Sequence, residues 1–376
     1  MERSAEGRAF AWGALGNILE MDDVDKQALL HPGPVTVPAA LALAAQTGAS
    51  AACLLDAIVR GYEATIRLGR AVGAGHYALW HNTGTCGAIG AAAACAILLD
   101  LPEDGLADAL ALGVSQSAGF WQTRHEPASL GKQLHTANAA RAGVSAARLA
   151  ASGARGPRTI LEGPQGFFAA MCPGAAAQDV LAVYPEPWLI ADVSTKPWPA
   201  CRHAHAAIDA ALVLRPPGAE GRILVETYRD ALRFCDNPAP RTVAEAKFSL
   251  QHAVAVSLIR GAPRLGDFSL AAIDDPALAS MRGRIDVRED GAFTRAYPGR
   301  FGARVSGGGA AVEVADAWGD PENPITDDEV KAKTRALLAA ADWSAADAEA
   351  LIGAASGLTG AGTPGDLLAL LEARLG

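Results

Sequence analysis

Apolar side chains recur at helical spacing through the first half of the chain. Between Ser50, a typical N-cap residue, and Val72 the polar positions fall on one stripe of an otherwise apolar segment, which predicts an amphipathic helix. The same periodicity predicts helices over residues 8–19, 37–46, 105–117 and 132–152, and an Ala-rich helix that ends at Leu99. We expect Pro38 in the first turn of the helix over 37–46, where its missing N–H has no partner to lose. These patterns predict an all-helical first domain.

The pattern changes near Ile190. Residues 222–228 alternate polar and apolar side chains as a half-buried strand does, residues 284–288 and 303–306 also predict strands, and a Gly-rich turn leads into 311–315 to form a hairpin. Helices return where Thr326 and Ser344 provide N-caps. We therefore predict a mainly α protein whose second domain is α+β. The predicted boundaries are a helical domain over 1–192, an α+β domain over 193–343, and a helical tail over 344–376 that can return to the first domain.

Composition and charge then narrow the class of protein. Half of the 376 residues are hydrophobic and 19% are charged, which is typical of a globular protein. The net charge of −9 argues against binding to nucleic acid or to a membrane surface, because such proteins concentrate Lys and Arg. The longest apolar run, residues 84–99, is shorter than a bilayer span; the six cysteines show no CxxC pair, and no signal peptide is evident. We expect a cytoplasmic protein with reduced thiols.

Scarce lysines and histidines indicate where the chemistry lies. Only six lysines stand against 26 arginines, and Lys132 precedes His135 by three residues, so a helix places both on one face. Lys196 lies in a Pro-rich loop at the predicted domain junction, a common place for ligand sites. Other candidates in Gly- or Pro-punctuated motifs are His31, His81, Arg124, His203 and His205. Such a set suits a carboxylate-rich small molecule, since Lys and Arg counter its charge and His moves protons.

Other motifs are better explained without a metal, a phosphate or a catalytic nucleophile. The run Cys201-x-His203-x-His205 alternates like metal ligands, but zinc sites usually use longer spacings and the Pro-rich lead-in indicates a loop. The glycines that open the Ala-rich helix have the spacing of a phosphate-binding turn, yet no strand precedes them, so close helix packing is the better interpretation. No GxSxG nucleophile elbow occurs. The acidic run Glu20–Asp25 is expected to be a solvated loop.

With these motifs on view, the chain resembles the MmgE/PrpD family almost from end to end. The matching motifs are Ala9-Phe10-Ala11-Trp12-Gly13-Ala14-Leu15 with Asp22-Asp23, His31-Pro32-Gly33, Gly73 to His76, His81-x-Thr83-x-Thr85, Lys132-x-x-His135-x-x-x-Ala139-Ala140, Glu162-Gly163-x-x-Gly166-Phe167, Lys196-Pro197-Trp198-Pro199-x-Cys201 with His205, and Ala246-Lys247-Phe248-Ser249. The family includes 2-methylcitrate dehydratase, cis-aconitate decarboxylase and iminodisuccinate epimerase. The resemblance implies a helical domain with an α+β lid domain, a homodimer, and a site between the domains that needs no metal or organic cofactor.

The resemblance also implies which residues form the site. The catalytic set is His81, Lys132, Lys196, His31 and Glu20, where the family's acidic position falls on Glu20 or Asp22. Beyond the resemblance, we assign Asp22, Arg124, His135, Cys201 and His205 to substrate binding and no residue to a metal. We expect His81, the favoured candidate, or Lys196 to take the α-proton. Lys196 can do so only if burial or a neighbouring cation lowers its pKa, and we expect a pocket with two cations to lower it. Lys132 and Arg124 hold the carboxylates, and His31 or Glu20 protonates the departing hydroxyl.

Several functions fit this acid–base chemistry. Dehydration of a 2-methylcitrate-like polycarboxylate is the first hypothesis, and epimerisation of an imino- or amino-polycarboxylate is the alternative because it needs the same acid–base pair. Decarboxylation is weaker, since the decarboxylase-like pattern has a His five residues after the lid lysine, where this chain has Cys201. Members usually have a further helical stretch before the Ala9-Phe10 motif, whereas this chain starts almost at that motif. The remaining alternative is therefore a protein that binds polycarboxylates without catalysis.

Overall fold

Helices form the first half of the molecule. The computed structural model describes residues 4–126, 129–184, 188–215, 221–360 and 362–375. The helices of the first half are α1 (Ala5–Ile18), α2 (Gly33–Thr47), α3 (Ala51–Ala71), α4 (Gly73–Tyr77), α5 (Asn82–Leu98), α6 (Glu103–Val114), α7 (Gly131–Ala151) and α8 (Phe167–Met171). Short 3-10 helices lie at Trp121–His125, Ala177–Leu181 and Leu189–Asp192.

The second half combines helices with a small sheet. Its elements are the 3-10 helix Arg202–Ala204, α9 (His205–Leu214), β1 (Ile223–Thr227), α10 (Arg229–Cys235), α11 (Val243–Lys247), α12 (Leu250–Ile259), the 3-10 helix Leu265–Phe268, α13 (Leu270–Ile273), α14 (Pro276–Arg282), β2 (Ile285–Glu289), α15 (Gly291–Ala296), β3 (Ala303–Gly307), β4 (Ala310–Val314), α16 (Asp327–Ala340), α17 (Ala345–Gly357) and α18 (Pro364–Leu375). The predicted fold class, mainly helical with an α+β part, is confirmed.

The predicted caps are present, but the start of α2 was misplaced. The hydroxyls of Ser50, Thr326 and Ser344 each accept a backbone N–H of the helix that follows. Helix α2 begins at Gly33 rather than at residue 37, so Pro38 lies inside it. Pro38 costs the helix only one hydrogen bond, to the carbonyl of Pro34, and both prolines are buried in the core.

Small residues bring the helices of the first half close together. Helix α5 packs against α3 and α7, and nearly all of its residues are buried. A side chain at Gly90 would collide with Thr65 and with the carbonyl of Gly61 on α3, and one at Gly87 would meet Val35. The glycines of α5 therefore serve close helix packing, as the sequence indicated.

The sheet has the strand order β2-β1-β3-β4. Strands β1 and β2 run parallel, whereas β3 is antiparallel to both β1 and β4, and the predicted hairpin is formed by β3 and β4. Helix α9 packs on β3 and β4, and α12 packs on α9 and β2. The apolar core of the second half lies between these helices and the sheet.

The segment between α1 and α2 connects the two halves. Val24 forms an antiparallel bridge with Ser194, Leu29 packs against the core of the second half, and Leu30 belongs to a core of the first half. At the other end of the chain, Leu358, Leu367 and Leu368 share a core with α2 and α5. Within the described residues, no helix has the length and apolarity needed to cross a membrane.

Candidate functional site

The segment that follows α1 carries a buried carboxylate at its centre. Glu20 is only 3% exposed, and Asp25 in the same acidic run is fully buried, so the expected solvated loop is wrong. The backbone of Glu20 has a φ of 56°, a left-handed conformation that a residue with a side chain rarely adopts. Such strain is tolerated only where the surroundings fix the conformation, and four lysines do so here.

Two of these lysines contact the Glu20 carboxylate. Lys132, in the first turn of α7, pairs with Oε1, and Lys196 Nζ lies 3.4 Å from Oε2. Burial would raise the pKa of the Glu20 carboxyl, but the two ammonium groups hold it below its ordinary value. Lys196 also lies 2.8 Å from Asp22 Oδ1 and has no exposed side-chain surface.

Two further lysines bind the backbone on either side of Glu20. Lys247 Nζ donates to the carbonyl of Leu19 and Lys333 Nζ to that of Met21, both at 2.6 Å. Burial lowers the pKa of each ammonium group to about 8. Neither residue was predicted from the sequence to belong to the site, although the scarcity of lysine was a signal that applied to both.

Asp22 orients the imidazole of His31. His31 Nδ1 donates to the carbonyl of Asp23 at 2.7 Å and lies 3.1 Å from Asp22 Oδ2. Both neighbours are acceptors, so Nδ1 carries the proton and Nε2 is left to accept one. Burial opposes the charge on Asp22, but the hydrogen bond from the His31 imidazole and the charge of Lys196 hold the pKa of the Asp22 carboxyl well below the ordinary range. The two residues form a His–Asp pair beside Glu20.

The pKa that was expected for Lys196 is wrong. Burial alone would lower the pKa of this ammonium group, but Asp22 and Glu20 raise it above its ordinary value. A lysine in this state stays protonated at neutral pH, so it supplies positive charge rather than a base. The neighbouring cation that was expected to lower the pKa is outweighed by two carboxylates.

His81 and His135 contact each other behind Trp121. Their Nδ1 atoms lie 3.3 Å apart, and the ring of His81 is 4.6 Å from that of Trp121. Burial, Lys132 and His135 hold the pKa of His81 well below its ordinary value, so the ring is neutral. His81 Nε2 is buried and has no hydrogen-bond partner within the described residues.

Two cavities meet at Lys132, Trp121, Phe234 and Phe248. The smaller, about 50 Å³, is lined by Glu20, Val24, Leu29, His31, Tyr77, Trp121, Lys132, Cys201, Arg202, His203, Phe234, Phe248 and Phe301. The larger, about 620 Å³, has cationic side chains from Arg124, Lys132, Arg233 and Lys247, one acidic side chain from Glu245, and a mostly apolar remainder. The smaller cavity thus contains the acid–base groups, and the larger one adjoins it.

The remaining predicted residues are spread around these cavities. Arg124 lines the larger cavity, where its guanidinium lies 4.7 Å from the ring of Phe234. Cys201 lines the smaller cavity. His205 is fully buried, its Nε2 bonds the carbonyl of Ala200 at 3.1 Å, and neither cavity is lined by it. His135 likewise lines neither of the two cavities.

Carboxylates with the spacing of metal ligands gather elsewhere in the part of the chain that the structure describes. They belong to Asp316, Asp320 and Glu322, and do not include Cys201, His203 or His205. Lys26 pairs with Glu322 at 2.6 Å, and Arg202 pairs with Asp320 at 2.5 Å. Ion pairs within the protein already account for this cluster.

Both halves of the chain match domains of a known protein family. The profile of the MmgE/PrpD N-terminal domain matches residues 2–179, and that of the MmgE/PrpD C-terminal domain matches residues 198–355. Similar proteins include a cis-aconitate decarboxylase from Homo sapiens, 28% identical over 218 residues, which are 55% of this chain and 44% of that protein. A 2-methylcitrate dehydratase from Cupriavidus necator is 27% identical over 222 residues, 56% of this chain and 45% of the relative. The matches thus cover less than half the length of these relatives.

Proposed function

The chain belongs to the MmgE/PrpD family, and from this premise we propose that it is an acid–base enzyme for a small polycarboxylate, most directly a hydro-lyase that resembles 2-methylcitrate dehydratase. One observation carries the proposal. In a chain with a net charge of −9, four cationic side chains and one acidic side chain line a cavity that adjoins buried acid–base groups. Local cations of this kind attract and orient carboxylates.

The size of the cavities fits a small organic anion. A volume of about 620 Å³ lies within the range of small-molecule sites. The substrate carboxylates bind to Arg124 and Lys247 in the larger cavity, and the reacting carbons lie toward Lys132 at the junction. Lys132 then faces the carboxylate next to the reacting carbon, where negative charge develops.

His31 is the base in this proposal. It lines the smaller cavity, and its Nδ1 proton is fixed by the Asp23 carbonyl and Asp22, so Nε2 accepts the α-proton. The Asp22 carboxylate stabilises the imidazolium that forms, as in other His–carboxylate pairs. His81 was the first choice from the sequence, but it lines neither cavity and its depressed pKa makes it a poor base.

The elimination is balanced without another reactant. The electrons of the α C–H bond form an enolate that Lys132 stabilises, and they become the carbon–carbon double bond as the C–O bond of the β-hydroxyl breaks. The departing oxygen takes the proton from the His31 imidazolium and leaves as water, which returns His31 to its neutral form. Lys196 stays protonated and keeps Asp22 and Glu20 ionised.

Decarboxylation of a cis-aconitate-like acid is a second candidate. Its support is the human relative, a cis-aconitate decarboxylase whose 28% identity is as high as that of the dehydratase. Epimerisation needs the same base and a carboxylate-stabilised carbanion. The homodimer that the resemblance implied is part of the proposal and is checked by sedimentation of the purified protein.

The test follows proton NMR spectra in deuterated water with 2-methylcitrate, citrate, cis-aconitate or iminodisuccinate, each with and without EDTA. An alkene product from a hydroxy acid supports the hydro-lyase, itaconate with CO₂ supports the decarboxylase, and deuterium at the α-carbon without an alkene supports the epimerase. Stabilisation by these ligands without turnover indicates a binding protein instead. Unchanged activity in EDTA supports an enzyme that needs no exchangeable metal.

Matched variants test the assignment of the base. His31→Gln is expected to lose activity by about 10²–10⁴-fold, the usual contribution of a general base. His125→Gln is the control, because His125 is an exposed histidine outside both cavities. Normal activity in folded His31→Gln, together with loss in His81→Gln, would transfer the role to His81.

A further inference from the structure

A second histidine of the smaller cavity takes no part in these steps. His203 lies in the 3-10 helix Arg202–Ala204 and is 6% exposed. Its ring stacks with that of Phe301, with centroids 5.5 Å apart and planes at 6°, and with that of Phe234, with centroids 4.8 Å apart and planes at 27°. These two stacked contacts restrict the plane of the imidazole, so its two nitrogens point in defined directions.

Tyr228 determines which of these nitrogens carries the proton. The Tyr228 hydroxyl lies 2.6 Å from His203 Nδ1, is fully buried, and has no other hydrogen-bond partner within the described residues. A buried hydroxyl that finds no acceptor costs free energy, so the satisfied arrangement has the O–H donating to Nδ1. The proton of the neutral imidazole then lies on Nε2.

The ring remains neutral because of its surroundings. Burial is the main cause that lowers the pKa of His203, to about 3, and the charge of Arg202 adds to it. The ring stacks with two phenylalanines and Nδ1 is occupied, while the residue lines the smaller cavity with His31 and Lys132. The Nε2–H group is therefore the part of His203 that is left to meet a ligand.

We propose that His203 donates this hydrogen bond to the uncharged hydroxyl oxygen of a hydroxy-polycarboxylate, with Tyr228 as the positioning residue. The inference rests on the proposed function for the class of ligand. Carboxylates have cationic partners in Lys132 and Arg124, whereas the wall around His203 is formed by the aromatic rings of Phe234 and Phe301 and by Arg202, whose charge is already paired with Asp320. A neutral donor in an aromatic wall matches an uncharged oxygen, and it also stabilises that oxygen as charge develops when the C–O bond breaks.

The binding test compares citrate with tricarballylate, which has the same three carboxylates and no hydroxyl. Calorimetry of the wild-type protein is expected to show citrate binding about tenfold more tightly, the value of one well-placed hydrogen bond. His203→Phe keeps the stacked ring and is expected to remove this preference. His203→Gln carries an amide N–H near the position of Nε2 and is expected to restore part of it.

The outcomes separate the two proposals. Equal affinities for citrate and tricarballylate in the wild type, or a preference unchanged in His203→Phe, overturn the role of His203 and leave the proposed function in place. If neither ligand binds, the proposed function and this inference fail together. A histidine with a purely structural role would alter the melting temperature of the variants but not the ratio of the two affinities.

A spectroscopic measurement tests the tautomer without any ligand. In protein labelled with ¹⁵N-histidine, the His203 signals are identified by their absence in His203→Gln. The wild type is expected to show the Nε2–H form throughout pH 6–8, and Tyr228→Phe to show a mixture of both neutral forms. The stacking of residue 228 on Tyr297, at 4.5 Å, does not need the hydroxyl. An Nδ1–H form or an imidazolium in the wild type would overturn the inference.

Discussion

Four lysine side chains hold the strained segment around Glu20 in place. Glu20 has left-handed backbone and a buried carboxylate, two costly features. Lys132 and Lys196 compensate its charge, while Lys247 and Lys333 bind the carbonyls on either side. These contacts come from α7, from the loop before α9, from α11 and from α16, so the conformation of Glu20 depends on the whole chain being folded.

Replacement of Lys333 by Met is expected to change how stability depends on pH. The pKa of Lys333 is about 8 in the folded protein, below its ordinary 10.5. Between these values the unfolded chain binds more protons, so this lysine makes stability rise with pH. The free energy of unfolding of the wild type should gain about 2 kcal/mol over Lys333→Met between pH 7.5 and 9.5, measured by urea unfolding.

Lys331 provides the matched control for this measurement. It lies on the same helix, α16, and pairs at the surface with Asp328 at 3.6 Å. A surface pair of this kind contributes less than about 1 kcal/mol, so Lys331→Met should follow the wild type at both pH values. Parallel curves for Lys333→Met and the wild type would contradict the burial of Lys333.

The residue scale also shows what the sequence could predict. Lys132 and Lys196 were found because they lie in punctuated motifs. Lys333 lies in a helix of ordinary pattern, and Lys247 lies in a matching motif to which no role was assigned. Their partners are backbone carbonyls 312 and 228 residues away, respectively. No local spacing encodes such a contact. The direction of the pKa shift at Lys196 was also beyond local pattern, because it depends on where Glu20 and Asp22 fold.

At the scale of elements, the apolar periodicity predicted the helices well but did not predict which strands pair. The apolar spacing predicted α3, α6 and α7 to within a few residues, and the glycine turn predicted the hairpin of β3 and β4. The parallel pairing of β1 with β2 was not predicted, since it joins segments about sixty residues apart with several helices between them. The start of α2 was predicted too late because Pro38 was expected in the first turn. A missing N–H is tolerated inside a helix when packing outweighs the loss of one hydrogen bond.

The close contact between α3 and α5 is expected to make the protein sensitive to a larger side chain at Gly90. Gly90→Ala would force a methyl group against Thr65 and the Gly61 carbonyl, where backbone cannot yield cheaply. We expect the free energy of unfolding to fall by about 1–3 kcal/mol, the usual cost of overpacking. Gly353→Ala on α17 meets nothing nearby and should gain up to about 1 kcal/mol from helix propensity. Urea unfolding of both variants checks this, and a neutral Gly90→Ala would refute the close approach.

At the scale of the whole molecule, the loop that carries Lys196, Cys201 and His203 is held by one buried aspartate. Asp320 is 1% exposed and accepts from Ser194 Oγ at 2.5 Å, from Arg202 Nη2 at 2.5 and 2.6 Å, and from the N–H of Ala317 at 3.1 Å. Ser194 in turn bridges to Val24, near Glu20. The geometry of the site therefore depends on a carboxylate outside both cavities.

Asp320→Asn is expected to destabilise the whole protein. The substitution keeps the shape of the side chain but leaves the Arg202 guanidinium, 5% exposed, without its negative partner. Loss of one member of a buried ion pair costs about 3–5 kcal/mol. Glu322→Gln, two residues away, removes a half-exposed partner of Lys26, but Lys26 keeps Asp316 at 4.0 Å, so this variant should lose less stability than Asp320→Asn. Urea unfolding measures both. Equal small losses would mean that water reaches Arg202, and that the loop is held by its apolar contacts instead.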